Sequence, residues 1–141
     1  MVYIRRVTAD FSVAPQLTAA DITAAAALGF RTLVNNRPDG EAAGQLESGE
    51  AEAAARAAGL VYLALPFQGS PTGAVVDETV RLLAAAPGPV LAYCRTGTRS
   101  VTAWAMAQAK LGALGVDEIV ARAREAGYDL SGLAGALGRP S

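Results

Sequence analysis

Three short apolar runs, Phe30 to Asn35, Val61 to Leu65 and Val90 to Tyr93, constrain what this chain can fold into more than any other feature. Each is walled off by glycine or proline. Runs of this length are too short for buried helices and suit strands covered on both faces, the situation of a parallel sheet. The stretches between them have helical spacing. Ser48-Gly49-Glu50-Ala51-Glu52 opens a helix that ends before Gly59, with carboxylates in its first turn, and Val75 to Ala86 continues as a helix up to Pro87-Gly88-Pro89. Strand and helix thus alternate, which predicts an α/β fold of three layers with a mostly parallel sheet flanked by helices. The polar loops should gather at the C-terminal ends of the strands, where ligands bind in such sheets.

The remaining segments fit the same plan. Val2 to Thr8 alternates, and Phe11 to Val13 adds a short extended piece; both read as edge or hairpin strands. Thr18-Ala19-Ala20-Asp21 has the form of a capping box and opens a helix that stops at Gly29. Ser100 to Leu111 reads as a helix ending at Gly112, and Val116 to Leu137 as two more, interrupted at Gly127-Tyr128-Asp129. No repeat or linker divides the 141 residues, so one domain over 1–141 is expected. Much of the 52% hydrophobic content is alanine, so helices should approach closely through small side chains.

Twelve basic and 13 acidic residues nearly cancel, leaving no electrostatic footprint for nucleic acid and no polybasic face for a membrane. All the basic residues but Lys110 are arginine, so guanidinium groups must carry any anion binding. The chain has one cysteine and no histidine, which excludes an ordinary zinc site and a Cys-His dyad. No cofactor is called for. No signal-like start and no run of membrane-spanning length is visible, so a cytoplasmic location is expected.

The single cysteine, Cys94, directly follows the apolar run Val90 to Tyr93 and precedes Arg95-Thr96-Gly97-Thr98-Arg99-Ser100, where a helix starts. A strand-to-helix turn of this kind makes a bowl of backbone N–H groups that favours a thiolate. Gly97 permits a backbone conformation closed to other residues, and Arg99 supplies a fork for an anion in the bowl. A buried cysteine acting as a small hydrophobe is the alternative, but the arginines and glycine behind it make poor core material. The expected nucleophile is Cys94 and the expected clamp Arg99. Arg95, Thr96, Gly97, Thr98 and Ser100 should line the anion site, with the Arg95 side chain either drawing anions in or merely solvated.

A second polar cluster, Asn35-Asn36-Arg37-Pro38-Asp39-Gly40-Glu41, falls at the end of a strand. It suits a local turn with Arg37 paired to Asp39 or Glu41. It also suits a functional role, with Arg37 recognising an anionic substrate and Asp39 or Glu41 donating a proton. Trp104 is expected as a packing anchor, and Asp77 as a stabiliser of the first turn of its helix.

The loop Cys94-x-x-Gly97-x-Arg99-Ser100 resembles the active loop shared by rhodaneses and cysteine-dependent phosphatases. With Phe11 to Leu17, Gly29 to Glu41, Leu91 to Ser100 and Ala126 to Leu130, nearly the whole chain resembles a bacterial family. That family is described both as the phosphatase-like domain of beta-lactamase-hydrolase-like proteins and as a sulfur transferase family. The resemblance implies a cysteine-phosphatase-like fold and two reaction classes. Three residues or segments depart from the phosphatase pattern: four residues instead of five separate Cys94 from Arg99, which is the rhodanese length; Tyr93 stands where phosphatases usually carry histidine; and Phe67 to Gly73 contains no carboxylate to serve as general acid. These departures make sulfane-sulfur transfer the leading expectation, with a Cys94 persulfide loaded from thiosulfate, a polysulfide or a small persulfide and passed to an external thiol. Phosphate-ester hydrolysis through a phosphocysteine is the alternative, and a non-catalytic anion-binding module the third reading.

Overall fold

In the computed structural model, which describes residues 3–137, the chain builds a five-stranded sheet between two layers of helices. The elements are β1 (Arg5–Thr8), β2 (Phe11–Ala14), α1 (Ala19–Ala27), β3 (Thr32–Asn35), α2 (Ser48–Ala57), β4 (Val61–Ala64), α3 (Gly73–Ala85), β5 (Val90–Tyr93), α4 (Thr98–Leu111), α5 (Val116–Glu125) and α6 (Ala134–Leu137). A 3-10 turn at Ser131–Leu133 precedes α6. The strand order is β1-β2-β5-β3-β4. β2, β5, β3 and β4 run parallel, and only β1 is antiparallel to its neighbour.

The period-2 alternation of strand side chains separates two cores. Phe11, Val13, Val34, Val90 and Ala92 face Leu82 of α3, Trp104 of α4 and Ile119 of α5. Ala14, Leu33, Leu91 and Tyr93 face Ile22 and Ala25 of α1 and Ala51 and Ala55 of α2. The alanines let α1 and α2 lie close to the sheet. Trp104 is fully buried and stacks on Phe11, with ring centroids 6.1 Å apart, so it is a packing anchor. Thr18 and Asp21 form the capping box that opens α1.

Several boundaries differ from the sequence expectation. β1 and β2 form an antiparallel hairpin, as expected, with β1 at the edge of the sheet; β2 itself is interior, pairing also with β5, and all four of its residues are buried. The alternating segment expected from Val2 becomes a strand at Arg5, and Val2 itself lies outside the described residues. α4 begins at Thr98, two residues before Ser100, because Gly97 already caps it. The final helical stretch is broken into a 3-10 turn and one turn of helix. Asp77 lies past the first turn of α3, where Thr72 is the N-cap, and forms an ion pair with Lys110 of α4.

Among the described residues, no helix is long and apolar enough to cross a membrane.

Candidate active site

The parallel register brings four strand ends together. Tyr93 lies opposite Ala14 on one side and Asn35 on the other, and Asn35 lies opposite Ala64. The residues that follow are then stitched to one another by backbone hydrogen bonds. The Asn36 N–H donates to the Tyr93 carbonyl (2.8 Å), Phe67 N–H to the Asn36 carbonyl (3.2 Å), and Gln16 N–H to the Arg95 carbonyl (3.3 Å). Cys94 thus emerges from the central strand β5, flanked by the loops that follow β2 and β3.

Cys94 is buried at the base of its loop, and its Sγ accepts a hydrogen bond from the Gly97 N–H at 3.1 Å. Gly97 has φ +93°, a left-handed conformation that costs an L side chain steric energy and glycine none. It is the N-cap of the 14-residue helix α4, so the sulfur sits where unpaired N–H groups and the helix dipole both favour negative charge. Thr96 Oγ1 accepts a bond from the Thr98 N–H at 3.4 Å and donates to Thr98 Oγ1 at 3.0 Å, bracing the exposed side of the loop. Arg95 is exposed. Ser100 is buried in the first turn of α4, and its hydroxyl has no hydrogen-bond partner among the described residues. A buried hydroxyl left this way is free to bond a bound group.

Arg99 is held from two sides. Its Nη1 donates to Glu41 Oε2 (2.9 Å) and to the Phe67 carbonyl (3.0 Å), and its Nη2 donates to Glu41 Oε1 (2.7 Å). Three of the five guanidinium N–H groups are used in this way. The remaining two, one on Nε and one on Nη2, form the side edge of the guanidinium. That edge is a parallel pair suited to two oxygens of a tetrahedral anion. The Glu41 carboxylate raises the Arg99 pKa most, and Cys94 adds to the rise. The cation and the sulfur therefore act on the same space.

Glu41 is the hub of the ring around Arg99. Besides Arg99 it accepts bonds from Arg37 Nε (2.9 Å) and Gln68 Nε2 (3.1 Å). These partners, Arg99 first, hold its carboxyl at about 2 against the opposing effect of burial. A carboxyl of that acidity is ionised at neutral pH and has no proton to give, so Glu41 is an anchor for Arg99 and not a proton donor. Asp39 does not reach the sulfur either: it is exposed, and its Oδ1 accepts the Ser48 N–H at the start of α2 (2.8 Å). Arg37 was expected at the mouth of the bowl. It is instead buried behind Glu41, and its Nη1 donates to Gln16 Oε1 at 3.1 Å. Two guanidinium groups sharing one carboxylate explain that placement, and Arg37 supports Arg99 through Glu41.

Gln16, Gln68 and Tyr128 were not singled out in the sequence. The two glutamines follow β2 and β4, so their position just past parallel strands was the available signal. Tyr128 lies beyond α5, and its hydroxyl donates to the Thr96 carbonyl at 2.9 Å. A Cβ built on Gly97 would overlap that hydroxyl and lie 2.9 Å from Tyr128 Cζ. Among the described residues, no cluster of three or more histidine, cysteine or carboxylate side chains is arranged to hold a metal ion.

Comparison with known proteins agrees with this architecture. A candidate phosphatase from Neisseria meningitidis superposes with a TM-score of 0.84 at 34% identity, over 96% of each chain. Kinase associated phosphatase superposes with a TM-score of 0.75 at 13% identity, over 98% of this chain and 92% of that one, which shows a shared fold. The Beta-lactamase hydrolase-like protein of Agrobacterium fabrum is 34% identical over 126 residues, covering 89% of this chain and 29% of its own length. That of Xylella fastidiosa is 38% identical over 103 residues, covering 72% of this chain and 24% of its own. The chain therefore spans less than a third of these curated relatives. The family described as Beta-lactamase hydrolase-like protein, phosphatase-like domain, matches residues 3–111, a span that holds every strand of the sheet, the Cys94 loop and the Glu41 ring. On that match and these identities, the chain belongs to the phosphatase-like domain family of the Beta-lactamase hydrolase-like proteins.

Proposed function

We propose that the protein hydrolyses phosphate esters through a Cys94 phosphocysteine. The observation that carries this reading is the side edge of the Arg99 guanidinium, which the bonds to Glu41 and the Phe67 carbonyl leave over, beside a sulfur that sits at the start of α4 and interacts with that cation. In the first step the Cys94 thiolate forms the S–P bond as the ester P–O bond breaks, and the leaving oxygen departs with the electron pair as an alkoxide or aryloxide that takes its proton from solvent. Water then attacks phosphorus, the S–P bond breaks, and phosphate and the thiolate are released. The Arg99 edge and the N–H groups of the loop bind the equatorial oxygens, where charge resides in the transition state. The phosphatase descriptions of the family and of the Neisseria meningitidis relative support this choice over sulfur transfer.

The missing acid narrows the substrate. With Glu41 ionised and Asp39 turned to α2, no carboxylic acid among the described residues is placed to protonate the leaving group. Esters of acidic alcohols, such as aryl phosphates, then react far faster than alkyl phosphates. Sulfane-sulfur transfer remains the second reading on one specific observation: four residues separate Cys94 from Arg99, and a sulfur atom transferred between thiolates requires no such donor.

The test is turnover of a series of aryl phosphates of graded leaving-group acidity, run beside thiosulfate with a thiol acceptor. The expected result is phosphate release that rises steeply with leaving-group acidity and no sulfur-transfer turnover. Thiosulfate turnover without phosphate release would replace the phosphatase reading by the sulfur one.

A further inference from the structure

Tyr128 and Cys94 touch opposite ends of one peptide unit. The Tyr128 hydroxyl donates to the Thr96 carbonyl at 2.9 Å, and the N–H of the same peptide, that of Gly97, donates to Cys94 Sγ at 3.1 Å. The resulting chain runs O–H to O=C–N–H to sulfur. A carbonyl that accepts a hydrogen bond loses electron density from its amide, and the N–H at the other end becomes a stronger donor. The hydroxyl also fixes the orientation of the peptide plane, which glycine's freedom at φ +93° would otherwise leave unrestrained. The ring lies against Gly97 where a side chain would be, so no other residue type at that position leaves room for this contact.

We propose that Tyr128 is a positioning residue for the Cys94 thiolate, orienting and polarising the Thr96–Gly97 peptide whose N–H holds the sulfur. This rests on the reading of Cys94 as nucleophile but is independent of whether phosphorus or sulfur is attacked. The tyrosine is delivered by the turn after α5, where its own N–H donates to the Ala123 carbonyl at 2.8 Å. Burial, and then the charge of Cys94, raises the phenol's pKa, so the hydroxyl keeps its proton and stays a donor. The other charged groups bearing on this arrangement are Arg99, with Glu41 behind it, and Arg5 of β1, which lies against Gly127 and opposes the rise in the phenol.

The lone cysteine makes the test clean, because every alkylation event reports Cys94. The rate of iodoacetamide modification is measured against pH for the wild type, Tyr128→Phe and a protein carrying 3-fluorotyrosine at position 128. Phenylalanine keeps the ring against Gly97 and removes only the hydroxyl, so a purely packing role predicts no change. The expected result for Tyr128→Phe is an upward shift of the midpoint by about 0.3–0.5 pH unit, a loss of about two- to threefold in rate below it. The more acidic fluorophenol should shift it downward. An unmoved midpoint in both variants, or in the fluorotyrosine protein alone if Tyr128→Phe does not fold, overturns the proposal. A wild-type Cys94 no more reactive than a free thiol overturns the nucleophile reading and this proposal with it.

Discussion

Replacing Cys94 by serine is expected to reduce turnover by about a thousandfold or more while leaving the fold intact. In the proposed reaction the sulfur is the nucleophile, and its surroundings are one N–H at 3.1 Å, the N-terminus of α4 and the Arg99 guanidinium. A serine hydroxyl in the same position is a far weaker acid than a thiol, and without a histidine in the chain there is no imidazole to take its proton. The change is nearly isosteric, and the new oxygen inherits the Gly97 donor, so Tm should move by no more than a few degrees. Anion affinity should survive because Arg99 and the backbone are untouched. Retained turnover in Cys94→Ser would move the chemistry to another group.

Gly97→Ala should damage both stability and activity. At φ +93° an alanine pays a conformational cost of about 1–3 kcal/mol, and its Cβ also collides with the Tyr128 ring. Either the tyrosine swings away, breaking its bond to Thr96, or the loop rotates and withdraws the Gly97 N–H from the sulfur. The combined cost of about 2–4 kcal/mol corresponds to a fall in Tm of about 6–15 °C for a domain of this size. Loss of an aimed donor at the reacting charge lowers kcat by about a hundredfold. Thermal unfolding and steady-state kinetics on the same preparation measure both. An alanine variant with unchanged Tm and kcat would mean that the loop does not depend on this backbone conformation.

The parts of the site that are contiguous in sequence were the legible parts. Cys94, Gly97 and Arg99 lie within six residues, and the strand before them and helix after them are marked by local pattern, so their juxtaposition needs no knowledge of tertiary pairing. β3, β4 and β5 were similarly marked by their apolar runs. The hairpin of β1 and β2 is visible locally, but the interior place of β2 is not, because its other partner β5 lies far along the chain and no local pattern in Phe-Ser-Val-Ala records that pairing. The same reason accounts for Glu41. Its spacing from Arg37 was visible, but its acidity is set chiefly by Arg99, which a crossover of the sheet brings beside it. Arg37 looked like a substrate ligand for want of the Gln16 and Glu41 contacts that bury it. Tyr128 gave no chemical signal, since its role depends on the turn after α5 meeting the back of the Cys94 loop.

Intact-mass analysis of the protein quenched in acid during aryl phosphate turnover, with Cys94→Ser alongside, decides whether the phosphocysteine forms. One added phosphoryl group is expected on the wild type, located at Cys94 and absent from the serine variant. Rapid phosphate release with no phosphoryl group on Cys94 at any quench time, together with a persulfide on Cys94 after thiosulfate, would contradict it.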